Sequence, residues 1–207
     1  MKEIVEEIRK LMKSEVAEKV KKRMEEFDEI RKSGEGIFSE LCFCILTANF
    51  SASGGIKIQK ALHDAFMNMP EKELAKELRR LGHRFPNTRA RYIVEARKWK
   101  NNLKEIIGTF DDEKELREWL VRNVKGIGYK EASHFLRNIG FRNIAIIDYH
   151  ILDLLCRHKL IEKPKSLTKR KYEEIEKLLT KIARMAGVTL AELDLYLWYM
   201  ETGKVLK

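Results

Sequence analysis

Two residues of this 207-residue chain could do chemistry together: Lys130, whose placement folding alone does not ask for, and, eighteen positions later, Asp148. Lys130 follows the turn Gly126-Ile127-Gly128-Tyr129 and stands in the first turn of a helical pattern over 130–138 that Gly140 ends. The positive end of a helix macrodipole disfavours an ammonium group, so a lysine there costs stability without a structural return. Partial desolvation would lower its pKa from about 10.4 and make a neutral amine available as a nucleophile near neutral pH. Asp148 closes the apolar run Ile144-Ala145-Ile146-Ile147 and begins another helical pattern. Its plainest role is an N-cap, for which Asp is a preferred residue. A capping carboxylate is held rigidly and can also face an incoming cation, so the two roles are compatible.

A nucleophile and a carboxylate need a frame, and the chain around them reads as helix throughout. Residues 113–123 form an amphipathic pattern in which Leu116, Trp119, Leu120 and Val124 recur at helical spacing. Gly126 and Gly128 are expected to supply positive φ and, lacking Cβ, to let the backbone approach a ligand closely. Helix, two-glycine hairpin and helix then direct amide N–H groups outward, a device suited to a DNA phosphate. A Gly-x-Gly between helices is also an ordinary turn. Lys130 with Asp148 argues for more than a turn or a phosphate clamp, because neither needs those two groups.

Away from the hairpin, residues 1–32 read as one long amphipathic helix striped by Ile4, Ile8, Leu11, Val16, Val20, Met24, Phe27 and Ile30. Residues 37–48 are apolar on nearly every side, and Asn49 stands where that helix would surface, with Ser51 as a turn or cap residue. Ser53-Gly54-Gly55 is expected to open a helix over 56–67, and Pro70 the next. A loop over 83–88 is basic, aromatic and stiffened by Pro86, with Phe85 at its centre and Arg89 at the start of the following helix. Such charges commonly form a solvated face, but an arginine beside an aromatic loop is also how a base edge would be reached. Helical patterns follow over 149–155, 168–186 and 190–200, and the N-terminal helix is their natural partner. The expectation is therefore an all-α fold: one domain of residues 1–35 plus 149–207, a central domain of 36–148 carrying the hairpin at 124–140, and an active-site cleft between them. Trp198 on the last helix reads as core or as a stacking surface for a flipped base.

Composition limits the partners. The chain is 44% hydrophobic, enough for a real core, and carries 42 Lys and Arg against 32 Asp and Glu, a net charge of +10. Its sequence pI near 9.4 suits a polyanion, and equally an ordinary Lys/Glu-rich heat-resistant protein. No apolar run approaches the length of a membrane span and the first residues do not form a signal peptide, so a soluble intracellular protein of cytoplasm or nucleoid is expected. Cys42, Cys44 and Cys156 are odd in number, which argues against a disulfide framework, and three cysteines cannot hold a four-cysteine cluster. The five histidines lack zinc-type spacing with Cys or carboxylates, so no metal or other cofactor is expected.

Gly126-Ile127-Gly128-Tyr129-Lys130 followed by Ile147-Asp148-Tyr149-His150 resembles the helix-hairpin-helix and Gly/Pro-Asp signature of the endonuclease III superfamily of base-excision DNA glycosylases. The lysine marks the bifunctional members. Ile45-Leu46-Thr47-Ala48-Asn49-Phe50-Ser51 is similar to the early helix whose Asn fills the gap left by a flipped base, and Asn87-Thr88-Arg89-Ala90-Arg91-Tyr92 resembles the Arg-Ala-Arg-Tyr segment of 8-oxoguanine DNA glycosylases. Together these stretches span most of residues 39–151, and the size and terminal Lys207 resemble the compact type 2 enzymes. The resemblance implies a glycosylase/abasic-site lyase acting on double-stranded DNA with 8-oxoguanine opposite cytosine, and a monomer. It assigns Lys130 as nucleophile at C1′ and Asp148 as its electrostatic and proton-transfer partner. Asn49 and Arg89 are placed at the gap and the orphaned cytosine, Phe85 and His150 on the DNA, Gly126 and Gly128 on phosphate, and Trp198 with Lys207 and its carboxylate at the base pocket. Two alternatives stay open: an oxidised-pyrimidine glycosylase/lyase with the same chemistry, and a helix-hairpin-helix module that binds DNA without chemistry.

Overall fold

A computed structural model describes all of residues 1–207, and its regular structure is entirely helical. No helix is long and apolar enough to cross a membrane. The backbone divides into two compact units, Met1–Glu29 with Gly140–Lys207, and Ile30–Ile139.

The second unit is built on α3 (Ile37–Thr47), all of whose residues are buried. Against it pack α4 (Ala52–Leu62), α7 (Pro86–Ala96), α8 (Leu103–Gly108) and α10 (Tyr129–Asn138), while α6 (Glu71–Arg80) pairs with α7 and α9 (Glu113–Asn123) with α10. Ten apolar or small residues with a single carboxylate among them can be surrounded in this way because no face must stay wet. The one carboxylate on α3 is satisfied inside the core: Glu40 accepts from Gln59 Nε2 of α4 at 3.0 Å and from Asn138 Nδ2 of α10 at 3.0 Å. That ties three helices at one buried point.

The expected opener of α4 is displaced. Ser51, not the glycine pair, caps the helix, its Oγ accepting from Gly54 N–H at 3.1 Å, and both glycines lie within the helix. A Cβ on Gly55 would stand 2.8 Å from Thr47 Cγ2 and 3.0 Å from the Phe43 ring, so the missing side chain lets α4 press onto α3. The helix ends at Leu62 rather than running to 67, and α5 (Ala65–Asn68) is a separate turn.

In the first unit the long N-terminal helix is broken. α1 (Lys2–Leu11) and α2 (Val16–Ser33) are separated by a turn in which Ser14 Oγ accepts from Val16 N–H at 3.2 Å. The apolar stripe is continuous across both, so periodicity alone could not place the break. α1 packs on α12 (Lys169–Ala186) and α13 (Leu190–Thr202), and α13 also on α11 (Tyr149–Arg157). Thr168 caps α12, Gly187 ends it at φ +83°, and Thr189 caps α13.

Candidate active site

The hairpin between α9 and α10 has one left-handed glycine, not the two expected. Gly126 has φ +89°, and a Cβ there would lie 2.2 Å from Tyr92 Cδ2, so conformation and packing both demand glycine. Gly128 has φ −109° and ψ −164°, extended backbone open to any residue. Nor is its amide left for a ligand: Gly128 N–H donates to Glu131 Oε2 at 3.0 Å, a side-chain cap on α10. The same carboxylate places its Oε1 3.0 Å from Lys130 Nζ. One residue therefore closes the hairpin and orients the lysine, and the spacing of a glutamate three residues past the helix start was the signal for it.

Aromatic packing fixes the rest of the hairpin. Tyr129 donates its hydroxyl proton to Glu118 of α9, and the buried Arg117 guanidinium lies 5.2 Å above the Tyr129 ring. Tyr92, which abuts Gly126, carries the Arg89 and Arg91 guanidinium groups 5.8 and 5.5 Å from its ring. Beside the hairpin runs an open groove of about 420 Å³ whose lining includes Lys98, Arg122, Lys125 and Gly126 together with Glu95, which pairs with Lys125 at 3.3 Å, so that cations outnumber carboxylates.

Asn49, Phe85 and Arg89 form a second group in the same unit. Asn49 is exposed, just past the end of α3, at φ +58°. Arg89 is buried, 7% exposed, and its Nη2 donates to Ala48 O at 2.6 Å. Burial lowers its pKa from the ordinary arginine value. Phe85 is 39% exposed with the Arg84 guanidinium 5.1 Å from its ring.

In the other unit Asp148 caps α11, its Oδ1 accepting from Ile151 N–H at 3.0 Å. The apolar run before it is a non-helical segment fastened to α12. Tyr172 donates to Ala145 O at 2.8 Å and accepts from Ile147 N–H at 3.2 Å, and Glu176 accepts from Ala145 N–H at 3.0 Å. These two buried residues set where Asp148 stands, and no local feature of the sequence announced them. Next to the cap, the His150 ring meets Trp198 edge-on at 5.0 Å and Tyr149 at 4.0 Å. The buried Trp198 Nε1–H has no hydrogen-bond partner. Val205, Leu206 and Lys207 are half-buried.

The structure thus gathers the site residues as Gly126, Gly128 and Lys130; Asn49, Phe85 and Arg89; and Asp148, His150 and Trp198. Donor atoms of Glu3, Glu7 and His158 lie within 4.8 Å of one another, a grouping that could hold a cation and that sequence spacing could not reveal.

An all-helical chain in which a hairpin delivers a lysine to the first turn of the next helix, and a later helix opens on a capping aspartate, is a helix-hairpin-helix protein of the DNA-repair type. The family model described as 8-oxoguanine DNA glycosylase matches residues 20–188. An 8-oxoguanine DNA glycosylase/AP lyase of Korarchaeum cryptofilum is 57% identical over 99% of this chain and 98% of its own length. The crystal structure of the Methanocaldococcus jannaschii 8-oxoguanine glycosylase/lyase in complex with a 15mer DNA containing 8-oxoguanine superposes with a TM-score of 0.95 at 53% identity, covering 98% of this chain and 99% of that one. The Thermotoga maritima 8-oxoguanine DNA glycosylase gives 0.93 at 46% identity, over 100% of this chain and 99% of that one. The chain belongs to the 8-oxoguanine DNA glycosylase family.

Proposed function

We infer that this protein is a bifunctional DNA glycosylase and abasic-site lyase that excises 8-oxoguanine from double-stranded DNA. The reading is carried by Lys130, placed in the first turn of α10 behind a hairpin that Gly126, Tyr92 and Glu131 hold in one conformation. A DNA-binding turn has no use for a lysine so constrained, whereas a nucleophile has.

C1′ of a stacked nucleotide is out of reach, so the lesion is flipped out and the gap is filled. Asn49 and Phe85 enter the duplex, and Arg89, with Nη2 committed to Ala48, turns its remaining edge to the orphaned cytosine. Lys130, as a neutral amine, forms a bond to C1′ while the glycosidic bond breaks and its electron pair leaves with the base. The carboxylate of Asp148 stabilises the positive charge that develops on the sugar and assists proton transfer. Nitrogen loses a proton, and its lone pair then opens the sugar ring: the C1′–O4′ bond breaks, O4′ takes up a proton, and C1′ becomes a protonated imine; removal of a C2′ proton then expels the 3′ phosphate and cuts the strand. The basic groove beside the hairpin takes the backbone phosphates, without the Gly128 amide that Glu131 already holds, His150 the DNA beside the sugar, and Trp198 the face of the flipped base.

Borohydride reduction tests the reading. With an 8-oxoguanine:cytosine duplex the native protein should be trapped covalently on DNA, and Lys130→Gln should bind the duplex and give no adduct. An adduct at the native level from Lys130→Gln would refute the assignment. A native protein that traps on oxidised pyrimidines and not on 8-oxoguanine would redirect the substrate.

A further inference from the structure

The last carbonyls of a helix have no partner within it, and at the end of α3 two side chains from outside supply them. Arg89 Nη2 donates to Ala48 O at 2.6 Å, and His83 Nε2 lies 2.9 Å from Leu46 O. The other ring nitrogen of His83, Nδ1, lies 3.0 Å from the Phe85 amide. An amide N–H only donates, so Nδ1 is the bare nitrogen; Nε2 therefore carries the proton and donates to Leu46. His83 thus makes both bonds only as a neutral ring, and it is 4% exposed. Its face lies on Phe50, centroids 4.3 Å apart at 32°. One side chain consequently touches the end of α3, the turn that follows Asn49, and the backbone of Phe85.

Asn49 holds a left-handed conformation, φ +58°, which asparagine adopts more readily than other non-glycine residues and which turns the chain just past the end of α3. The carbonyl just before it is held by Arg89, and the ring just after it rests on His83. Asn49 and Phe85 are the exposed members of this cluster; the residues that hold them are buried.

We propose that His83 is a positioning residue for opening the duplex: bonded at both nitrogens, it fastens the Asn49 turn and Phe85 into one preformed edge. The proposal rests on the reading that Asn49 and Phe85 enter the DNA. An edge already ordered before binding avoids the entropy of ordering two separate loops on the duplex. His83 touches no substrate and acts through Asn49 and Phe85.

Two substitutions separate the bonds. His83→Gln keeps an amide donor for Leu46 and withdraws the acceptor from Phe85; His83→Asn offers an acceptor to Phe85 and loses its reach to Leu46. Single-turnover excision is measured for 8-oxoguanine opposite cytosine and opposite a synthetic abasic residue, where no partner base has to be parted and held. Each variant should slow excision opposite cytosine about tenfold, the equivalent of one internal hydrogen bond, and leave excision opposite the abasic residue close to the native rate. Thermal melting identifies a variant that fails to fold, and the other then carries the test. Equal slowing on both substrates would make His83 merely structural, and no slowing on either would make it idle; both overturn the proposal. Asn49→Ala is assayed alongside. Native rates from Asn49→Ala would overturn the reading beneath the proposal, whereas selective loss in Asn49→Ala with unaffected His83 variants would overturn the proposal alone.

Discussion

Replacing each hairpin glycine by alanine separates two positions that look equivalent in the sequence. At Gly126, with φ +89°, a Cβ would sit 2.2 Å from Tyr92 Cδ2 and 2.8 Å from Cε2. The left-handed conformation costs an L-residue about 1–2 kcal/mol, and moving an aromatic ring out of a packed site costs about 1–3 kcal/mol. Tyr92 has little freedom to retreat, because the Arg89 and Arg91 guanidinium groups flank its ring. The sum of roughly 2–5 kcal/mol corresponds to a fall in Tm of about 5–15 °C for a chain of this size. Gly128→Ala meets only Glu131 Oε2, at 3.4 Å, in extended backbone, and should stay within about 1 kcal/mol of the native protein. Circular-dichroism melts measure both, and titration with a lesion duplex at several salt concentrations reads the hairpin's grip on phosphate. Tyr92→Ala in the Gly126→Ala background should recover the steric share and leave the backbone share, a non-additivity of about 1–3 kcal/mol. If Gly126→Ala and Gly128→Ala melt together, the packing argument for the hairpin is wrong.

Tyr172→Phe removes the partner of Ala145 O and of Ile147 N–H at once and should cost about 1–3 kcal/mol in melting experiments, with slower excision because Asp148 loses its anchor. Unchanged stability would show that water replaces the phenol. Asp148→Asn keeps a capping side chain, so the fold and DNA binding should survive while turnover drops by orders of magnitude; near-native turnover would reduce Asp148 to a cap. Burial, with a smaller contribution from the Arg89 charge, lowers the His83 pKa from 6.5 against the opposing Leu46 hydrogen bond. The unfolded chain then binds a proton near 6.5 that the folded chain takes up only at lower pH, so stability falls as pH drops below that value, by at most about 1.4 kcal/mol per pH unit. Comparing melting curves from neutral to mildly acidic pH, His83→Gln should lose this part of the slope; an identical slope would mean the ring is protonated in the fold.

The sequence by itself determined the helical class, the hairpin and its lysine, the capping role of Asp148, and α3 as the buried centre. Each of these is written in neighbouring residues: a 3.6-residue period, a glycine beside a helix start, a capping residue before an apolar stripe, a run with no wet face. It also pointed to Asn49 and Arg89 by resemblance, and to Phe85 as the aromatic residue of a basic, proline-stiffened loop. What it could not settle are features whose cause lies on another element. An unbroken apolar stripe concealed the turn between α1 and α2. The unlike conformations of Gly126 and Gly128 follow from Tyr92 on α7 and Glu131 on α10. The stance of Asp148 follows from Tyr172 on α12, 24 residues further along. His83 reads as one more residue of a basic loop until Leu46 and Phe85 occupy its two nitrogens. Local pattern fixes which groups a segment offers, because capping and periodicity act within a turn or two; which partner takes them is decided by packing, and packing exists only once distant segments share a core.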